Sequence, residues 1–183
     1  ALPEITIEPH NPWIAQKWLE GNRFCTYSVC ENGKVLAHTT YPVQIAIQGH
    51  FCLNFESIDH PAILDWIKNF VFLENFTGQV GFDFFEVDGT VYAIECNPRG
   101  THGLILFNNS DRLDKAFTGD TVEVLTPKAG NTKQIAAAMS FYGWKSAYKE
   151  GKLKEFFKIL FTTPDVVFDR RDIKPFLSTP LVY

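Results

Sequence analysis

The stretch GFDFFEVDGTVYAIECNPRG, residues 81–100, decides the fold of this chain. Its two apolar runs flank Asp88-Gly89, a dipeptide typical of the turn of a β-hairpin. The second run ends in polar residues at every second position, Glu95, Asn97 and Arg99. Because alternate residues of a strand share a face, we expect these three side chains to lie side by side at the end of the hairpin.

The length of the turn determines whether Asp83, on the first strand, joins that polar face. A two-residue turn pairs residue 83 with residue 94 and points Asp83 away from the face of Glu95. A three-residue turn that includes Val87, with Gly89 in the left-handed conformation, pairs Asp83 with Ala93 and points it to the side of Glu95. Composition does not decide between these registers, and we predict the three-residue turn.

In the three-residue register, Asp83, Glu95 and Asn97 would converge near the open end of the hairpin. Two carboxylates and an amide oxygen are ligands that suit a hard divalent cation, and magnesium takes one or two carboxylates together with phosphate oxygens. On spacing alone, the alternative is that Glu95 and Asn97 lie on a solvated sheet face at a strand end.

Size and composition restrict the class of protein. The chain has 183 residues, which suits one domain or a domain with an appendage, and 17 Phe residues allow a large core. A net charge of −4 predicts no nucleic-acid or membrane partner. The four cysteines form no CxxC pair, and the sequence has no signal peptide or apolar run of transmembrane length, so we expect reduced thiols and a cytoplasmic location.

Upstream of residue 81, the pattern predicts one separate strand, a hairpin of two strands and a helix. WIAQKWL (13–19) is interpreted as a strand, and residues 23–30 and 34–41 flank Asn32-Gly33, a strong hairpin signal. Residues 43–58 have a composition that favours β structure. Apolar residues at helical spacing predict a helix over 60–76, with Asp59 as its cap and Pro61 in its first turn.

Downstream of Arg99, the pattern predicts loop and short helix, then helices over 131–149 and 151–161, and an extended segment from Pro164. The order of hairpins and helices predicts an α+β fold, an antiparallel sheet with helices packed on one side. We divide the chain into a lobe over 1–125 and a helical and extended C-terminal appendage over 126–183.

The run from Gly81 to Gly103 resembles the metal-binding hairpin of the ATP-grasp superfamily, as found in biotin carboxylase and the carbamoyl phosphate synthetase large chain. The resemblance implies that Asp83, Glu95 and Asn97 are magnesium ligands. It also implies that Arg99 is a catalytic arginine that faces the transferred phosphate and the carboxylate substrate. The cofactors implied are ATP and two magnesium ions, with manganese as an alternative.

WIAQKWLEGNRF resembles the family's hinge strand, whose backbone holds the adenine edge. The adenine-contacting positions are Gln16, Lys17, Trp18 and Leu19. Many members have a glutamate for ribose two residues after the glycine, whereas this chain has Arg23 there. His102 is a candidate substrate contact in the loop after the motif, and Tyr41 and Gln44 are candidate lining residues of the nucleotide cleft.

The resemblance covers about residues 10–110 and lacks the family's first half, so we expect the C-terminal lobe of an ATP-grasp fold, with weak or no nucleotide binding and no turnover by this part alone. It implies an ATP-dependent ligase that joins a small carboxylate to an amine or thiol through an acyl phosphate. The alternative is a catalytically inactive nucleotide-binding protein that serves as a regulatory or scaffold subunit. A homodimer is compatible with either reading.

Overall fold

A four-stranded antiparallel sheet forms the centre of the molecule, which was analysed as a computed structural model that describes residues 8–10, 12–43, 46–47, 51–149 and 151–179. The strands span Asn22–Glu31 (β1), Lys34–Pro42 (β2), Gly78–Val87 (β6) and Thr90–Asn97 (β7). They lie in the order β2-β1-β6-β7. Two short pairs lie beside the sheet: β3 (Ala46–Ile47) with β4 (Phe51–Cys52), and β5 (Asn54–Glu56) with β8 (Thr132–Gln134).

The predicted hairpin at Asn32-Gly33 joins β1 to β2. Both turn residues have positive φ, 47° at Asn32 and 78° at Gly33. Consecutive positive φ values match the right-handed twist of the strands, which is why this dipeptide favours tight hairpins. Because β1 also pairs with β6, the strand lies in the middle of the sheet and most of its residues are buried.

Helix α1 (Pro61–Leu73) packs on one face of the sheet and buries Ile63, Ile67 and Val71. Their spacing of four residues forms one stripe, and the stripe joins Phe82 and Phe84 of β6 in a shared core. The predicted architecture, an antiparallel sheet with helices on one side, is confirmed. Pro61 lies in the first turn as predicted.

The predicted cap of α1, Asp59, is wrong, since the N-cap is His60. The His60 Nδ1 atom accepts a hydrogen bond of 3.4 Å from the Ile63 N–H. The His60 ring also packs edge-on against Phe24, with ring centroids 4.8 Å apart. A residue that both caps the helix and packs on the sheet fixes where α1 begins.

The opposite face of the sheet is covered near β1 and β2 by short helical turns. Tyr27, Val29 and Leu36 pack there with Ala116 of α2 (Asp114–Thr118). A 3₁₀-helix over His102–Leu106 contributes Leu106 to a second cluster with Tyr41 and Phe55. The part of this face near β7 carries polar side chains instead.

The C-terminal third contains helices α3 (Ala136–Ala138), α4 (Trp144–Lys149), α5 (Leu153–Thr162) and α6 (Lys174–Ser178), with a π-helical turn over Met139–Gly143. The helix predicted from residue 131 is wrong at its start, because β8 pairs there with β5. The segment from Pro164 is not wholly extended. Pro175 lies in the first turn of α6, where its missing N–H costs no hydrogen bond.

The strand predicted over residues 13–19 is also wrong. This segment has no regular secondary structure, and Trp18 is 84% exposed. A strand needs a partner edge for its backbone, and in the described part of the sheet these residues pair with none.

The division at residue 125 stays a prediction. Within the stretch 43–58, residues 44–45, and Gln44 with them, and residues 48–50 lie outside the described residues.

Candidate nucleotide and metal site

The hairpin of β6 and β7 turns in two residues, so the predicted three-residue turn is wrong. Asp88 and Gly89 have φ values of 50° and 76°, and Val87 pairs with Thr90. This register would point Asp83 away from Glu95, as the sequence argument required. A β-bulge on β7 nevertheless brings Asp83 to the same face as Glu95.

The bulge leaves Ile94 as an extra residue in β7. Phe84 pairs with Ala93, but the next residue of β6, Asp83, pairs with Glu95. An extra residue on one strand makes every side chain beyond it point to the opposite face of the sheet. Asp83 and Glu95 are therefore directly opposed on one face, which places their Cβ atoms roughly 5 Å apart. The expected shared face exists, although the turn was predicted incorrectly.

Glu95, Asn97 and Arg99 are joined by hydrogen bonds along this face. The Asn97 Nδ2 atom donates to Glu95 Oε1 at 3.0 Å. The Arg99 Nη2 atom donates to Asn97 Oδ1 at 3.1 Å, and Arg99 Nη1 donates to the Gly100 carbonyl at 3.2 Å. The amide of Asn97 thus lies between a carboxylate and a guanidinium. To give Oδ1 to a cation, Asn97 would exchange its bond with Arg99 for a metal bond.

Asp83 lies deeper in the sheet than Glu95, between Glu95 on β7 and Cys25 on β1. Burial raises the pKa of Asp83, a hydrogen bond with Cys25 opposes this shift, and the charge of Glu95 raises the pKa further. Arg23 and Arg99 act to lower it. A half-buried carboxylate beside a second carboxylate is an environment that a cation would stabilise. Cys25 was not identified from the sequence, since its place opposite Asp83 depends on the pairing of β1 with β6.

The loop that carries Arg99 is fixed to the sheet through Thr101. The Thr101 Oγ1 atom donates to the Thr26 carbonyl at 2.8 Å. Thr101 fits because Gly81, opposite Asn97, has no side chain. A Cβ at Gly81 would lie 2.4 Å from Thr101 Cγ2 and 2.7 Å from the Thr26 carbonyl oxygen. Gly81 therefore allows the loop to close over the polar face, a role that a single glycine in the sequence does not reveal.

His102 and Tyr41 lie beside this loop. The His102 ring stacks on Phe55 with centroids 5.3 Å apart. Burial, and secondly the charge of Arg99, lower the pKa of His102. His102 therefore stays neutral near pH 7 and able to accept a hydrogen bond. Tyr41 is buried against Phe55 and does not line an open cleft.

The segment predicted to bind adenine reaches the same face of the sheet despite the absence of a strand. The Lys17 Nζ atom lies 6.0 Å from the centre of the Tyr92 ring, and Tyr92 pairs with Phe85, two residues from Asp83. The Trp18 Nε1 atom donates to Glu20 at 3.1 Å. Leu19 is half-buried and Gln16 is exposed. Adenine binding by these four residues stays a prediction.

Arg23 stands at the position where the resemblance implied a ribose-binding glutamate. Its guanidinium lies 5.6 Å from the centre of the Phe85 ring. Phe85 and Asp83 are alternate residues of β6 and share a face. A second arginine thus flanks the carboxylates on the side opposite Arg99.

The donor set of this face fits a divalent cation that is shared with a phosphate ligand. Among the residues that the structure describes, no three His, Cys, Asp or Glu side chains form a metal-binding group. Asp83 and Glu95 supply two carboxylates and Asn97 supplies one amide oxygen, all of them hard oxygen donors. Magnesium prefers an incomplete protein shell of this type, which water and phosphate oxygens complete.

Comparison with known proteins found similarity only among solved structures. No protein-family model matches the chain, and no curated protein sequence matches it. A phosphoribosylglycinamide synthetase from Anaerococcus prevotii is 16% identical over 45% of this chain and 23% of its own, with a TM-score of 0.37. A biotin carboxylase from Campylobacter jejuni, in a complex named as beta-gamma-ATP, is 18% identical over 48% of this chain and 22% of its own, with a TM-score of 0.38.

An L-amino acid ligase from Bacillus licheniformis is 17% identical over 48% of this chain and 25% of its own, with a TM-score of 0.36. The chain thus spans a quarter or less of these structures. Because the similarity is partial and distant, the function proposed below rests on the geometry of the hairpin.

Proposed function

We propose that this chain supplies the metal- and phosphate-binding face of an ATP-dependent ligase of the ATP-grasp type. The observation that carries the proposal is the bulge at Ile94, which brings Asp83 and Glu95 to one face, beside Asn97 and Arg99. A solvated sheet face has no need for a bulge that turns two carboxylates toward each other, since like charges directly opposed destabilise a sheet.

Asp83, Glu95 and Asn97 would hold magnesium at this face. Magnesium, when bound, would neutralise charge on the phosphates during phosphoryl transfer. Glu95 lies between the other two ligands, so it is the residue suited to bridge two ions. Asp83 is held in place by the sheet and by Cys25, which keeps one ligand fixed while the more exposed Glu95 adapts.

Arg99 would donate to the phosphoryl group as it passes to the carboxylate substrate. A guanidinium presents two parallel donors, a geometry that suits phosphate and carboxylate oxygens. The hydrogen bond from Thr101 to the Thr26 carbonyl holds the loop that carries Arg99 near the sheet. Arg99 now donates to Asn97 and Gly100, and these weak contacts are replaceable by substrate oxygens.

The reaction we propose joins a small carboxylate to an amine or thiol nucleophile through an acyl phosphate. We also propose a cytoplasmic location, in keeping with reduced thiols. Burial raises the pKa of the Cys30 thiol to about 12, which makes this cysteine unreactive. Among the described residues, no helix has the length and apolar character needed to cross a membrane.

The test is ADP formation by the full-length protein with ATP, magnesium and mixtures of small carboxylates and amines. The proposal expects ADP release that requires both magnesium and an added carboxylate. Magnesium-dependent nucleotide binding without ADP release under any mixture would favour the inactive scaffold instead. No nucleotide binding at all would reject both.

A further inference from the structure

Helix α5 carries a second stripe of apolar residues on the side that faces away from the core. Its inner side packs Leu153, Phe156 and Leu160 into a cluster with Met139. The outer side presents Phe157, 48% exposed, and Phe161, 80% exposed. Lys154 and Lys158 are exposed and alternate with these rings at positions 154, 157, 158 and 161, the spacing of one helix face. We call these four residues the outer face of α5.

The two rings of this face are arranged as a unit. Phe157 and Phe161 stack with centroids 6.3 Å apart and planes 14° from parallel. Exposing two phenylalanines to water is unfavourable by roughly 2–3 kcal/mol each relative to burial. A partner that covers both rings would therefore gain binding free energy.

The charge around this face is opposite in sign to that of the whole chain. Residues 144–161 contain five lysines and two glutamates, although the net charge of the protein is −4. The neighbouring helix α4 adds exposed Trp144 and Tyr148. Lysines interleaved with aromatic rings on a convex helix match an anionic lipid surface, where rings enter the interfacial layer and ammonium groups meet phosphates.

We propose that the outer face of α5 binds the surface of an anionic membrane. The overall negative charge predicted no membrane partner, but the local charge of this face decides the contact, because electrostatic attraction falls off within about 10 Å at 0.1 M salt. The proposal is independent of the ligase activity, since these residues lie outside the β6–β7 hairpin.

The experiment is co-sedimentation of the protein with vesicles of pure phosphatidylcholine and of phosphatidylcholine with 30% phosphatidylserine. The proposal expects binding to the anionic vesicles that weakens as salt is raised. K154A/K158A should reduce this binding roughly thirtyfold, since each lysine near an anionic surface adds about a factor of five.

A matched pair of variants tests whether the position of the residues matters. K158A/F161A and K68A/F72A each remove one lysine and one exposed phenylalanine, on α5 and α1 respectively. The first should reduce vesicle binding at least tenfold and the second should leave it unchanged. Thermal melts of all variants establish that each is folded, and the lysine-only variant leaves the aromatic packing intact.

Three outcomes would overturn the proposal. The first is equal vesicle binding by wild type and by K154A/K158A. The second is binding to soluble polyglutamate that matches binding to anionic vesicles, which would mean that an acidic protein is the partner. The third is a dimer in light scattering that dissociates in K158A/F161A, which would mean that a second copy of the chain covers this face.

Discussion

Glu95 is the residue on which the proposed chemistry depends most. Replacing it with Gln keeps the size and the bond to Asn97 but removes the charge that would offset a dication. A lost active-site electrostatic contact costs about 3–4 kcal/mol, so we expect ADP formation to fall roughly a hundred- to thousand-fold. The measurement is the rate of ADP formation by the full-length protein at saturating magnesium.

Glu86→Gln is the matched control, because Glu86 lies on β6 of the same hairpin and points to the α1 side. Its carboxylate lies 3.4 Å from His60 Nε2. We expect near-wild-type turnover from this variant. Loss of the fold in Glu95→Gln, detected by thermal melts, would mean that Glu95 is structural.

Gly81 should tolerate no side chain. In Gly81→Ala, the new Cβ would meet Thr101 Cγ2 at 2.4 Å and the Thr26 carbonyl at 2.7 Å. Since the carbonyl belongs to a central strand, Thr101 and its loop have to move, and overpacking of this kind costs about 1–3 kcal/mol. Urea denaturation should show this loss, with Gly100→Ala as control, because its Cβ would meet only the flexible Gln79 side chain at 3.3 Å. An unchanged midpoint for Gly81→Ala would contradict the proposed crowding.

At the scale of elements, the hairpin shows what the sequence can and cannot predict. Asp88-Gly89 predicted where the chain turns, although not the length of the turn, and the two apolar runs predicted both strands. The bulge at Ile94 was not predictable, because a single extra residue in a strand of apolar residues leaves no mark on composition. The shared face of Asp83 and Glu95 was predicted correctly only because Asp83, Glu95 and Asn97 form a plausible set of ligands for one cation.

Helix α1 supplies the core on the side opposite the candidate site. Ile67 of α1 is fully buried against the sheet, whereas the next residue, Lys68, is exposed. We expect Ile67→Ala to lower the free energy of unfolding by about 2–5 kcal/mol, through lost burial and a cavity, and Lys68→Ala to change it by less than about 0.5 kcal/mol. Urea titrations measure both. Equal small effects would mean that α1 is only loosely packed.

At the scale of the whole molecule, the sheet contains a histidine that should make stability depend on pH. His38 is buried, with Nδ1 3.0 Å from Ser28 Oγ and Nε2 2.9 Å from Thr40 Oγ1. Burial, and secondly the charge of Lys68, lower the pKa of His38 from 6.5 to about 3. Between these values the unfolded chain binds a proton that the folded chain does not.

Stability should therefore be complete above pH 6.5 and decrease as the pH falls, by about 2 kcal/mol at pH 5 from this residue alone. Unfolding free energies measured from pH 7 to pH 4.5 should decrease less steeply in His38→Asn than in wild type. His10→Asn, which changes an exposed imidazole, is the control. Parallel pH curves for wild type and His38→Asn would show that His38 titrates normally in the folded protein.

The parts of the molecule that sequence reasoning missed are those fixed by distant partners. Residues 13–19 have the composition of a strand but pair with no described strand. Thr132–Gln134 lacks a strong strand pattern, yet it pairs with β5, and the Gln134 Nε2 atom donates to the carbonyls of Leu160 and Thr163 at 2.9 and 2.7 Å. Such pairings depend on tertiary contacts, which local periodicity does not contain.

Cation binding by the polar face of the hairpin is the central claim, and it can be measured without turnover. Manganese, a paramagnetic substitute for magnesium, is titrated into the protein with a non-hydrolysable ATP analogue, and free manganese is followed by electron paramagnetic resonance. We predict saturable binding that weakens at least tenfold in the Asp83→Asn/Glu95→Gln double variant, since even outer groups of a metal site affect affinity by 10–100-fold. Equal manganese binding by wild type and the folded double variant would contradict the account.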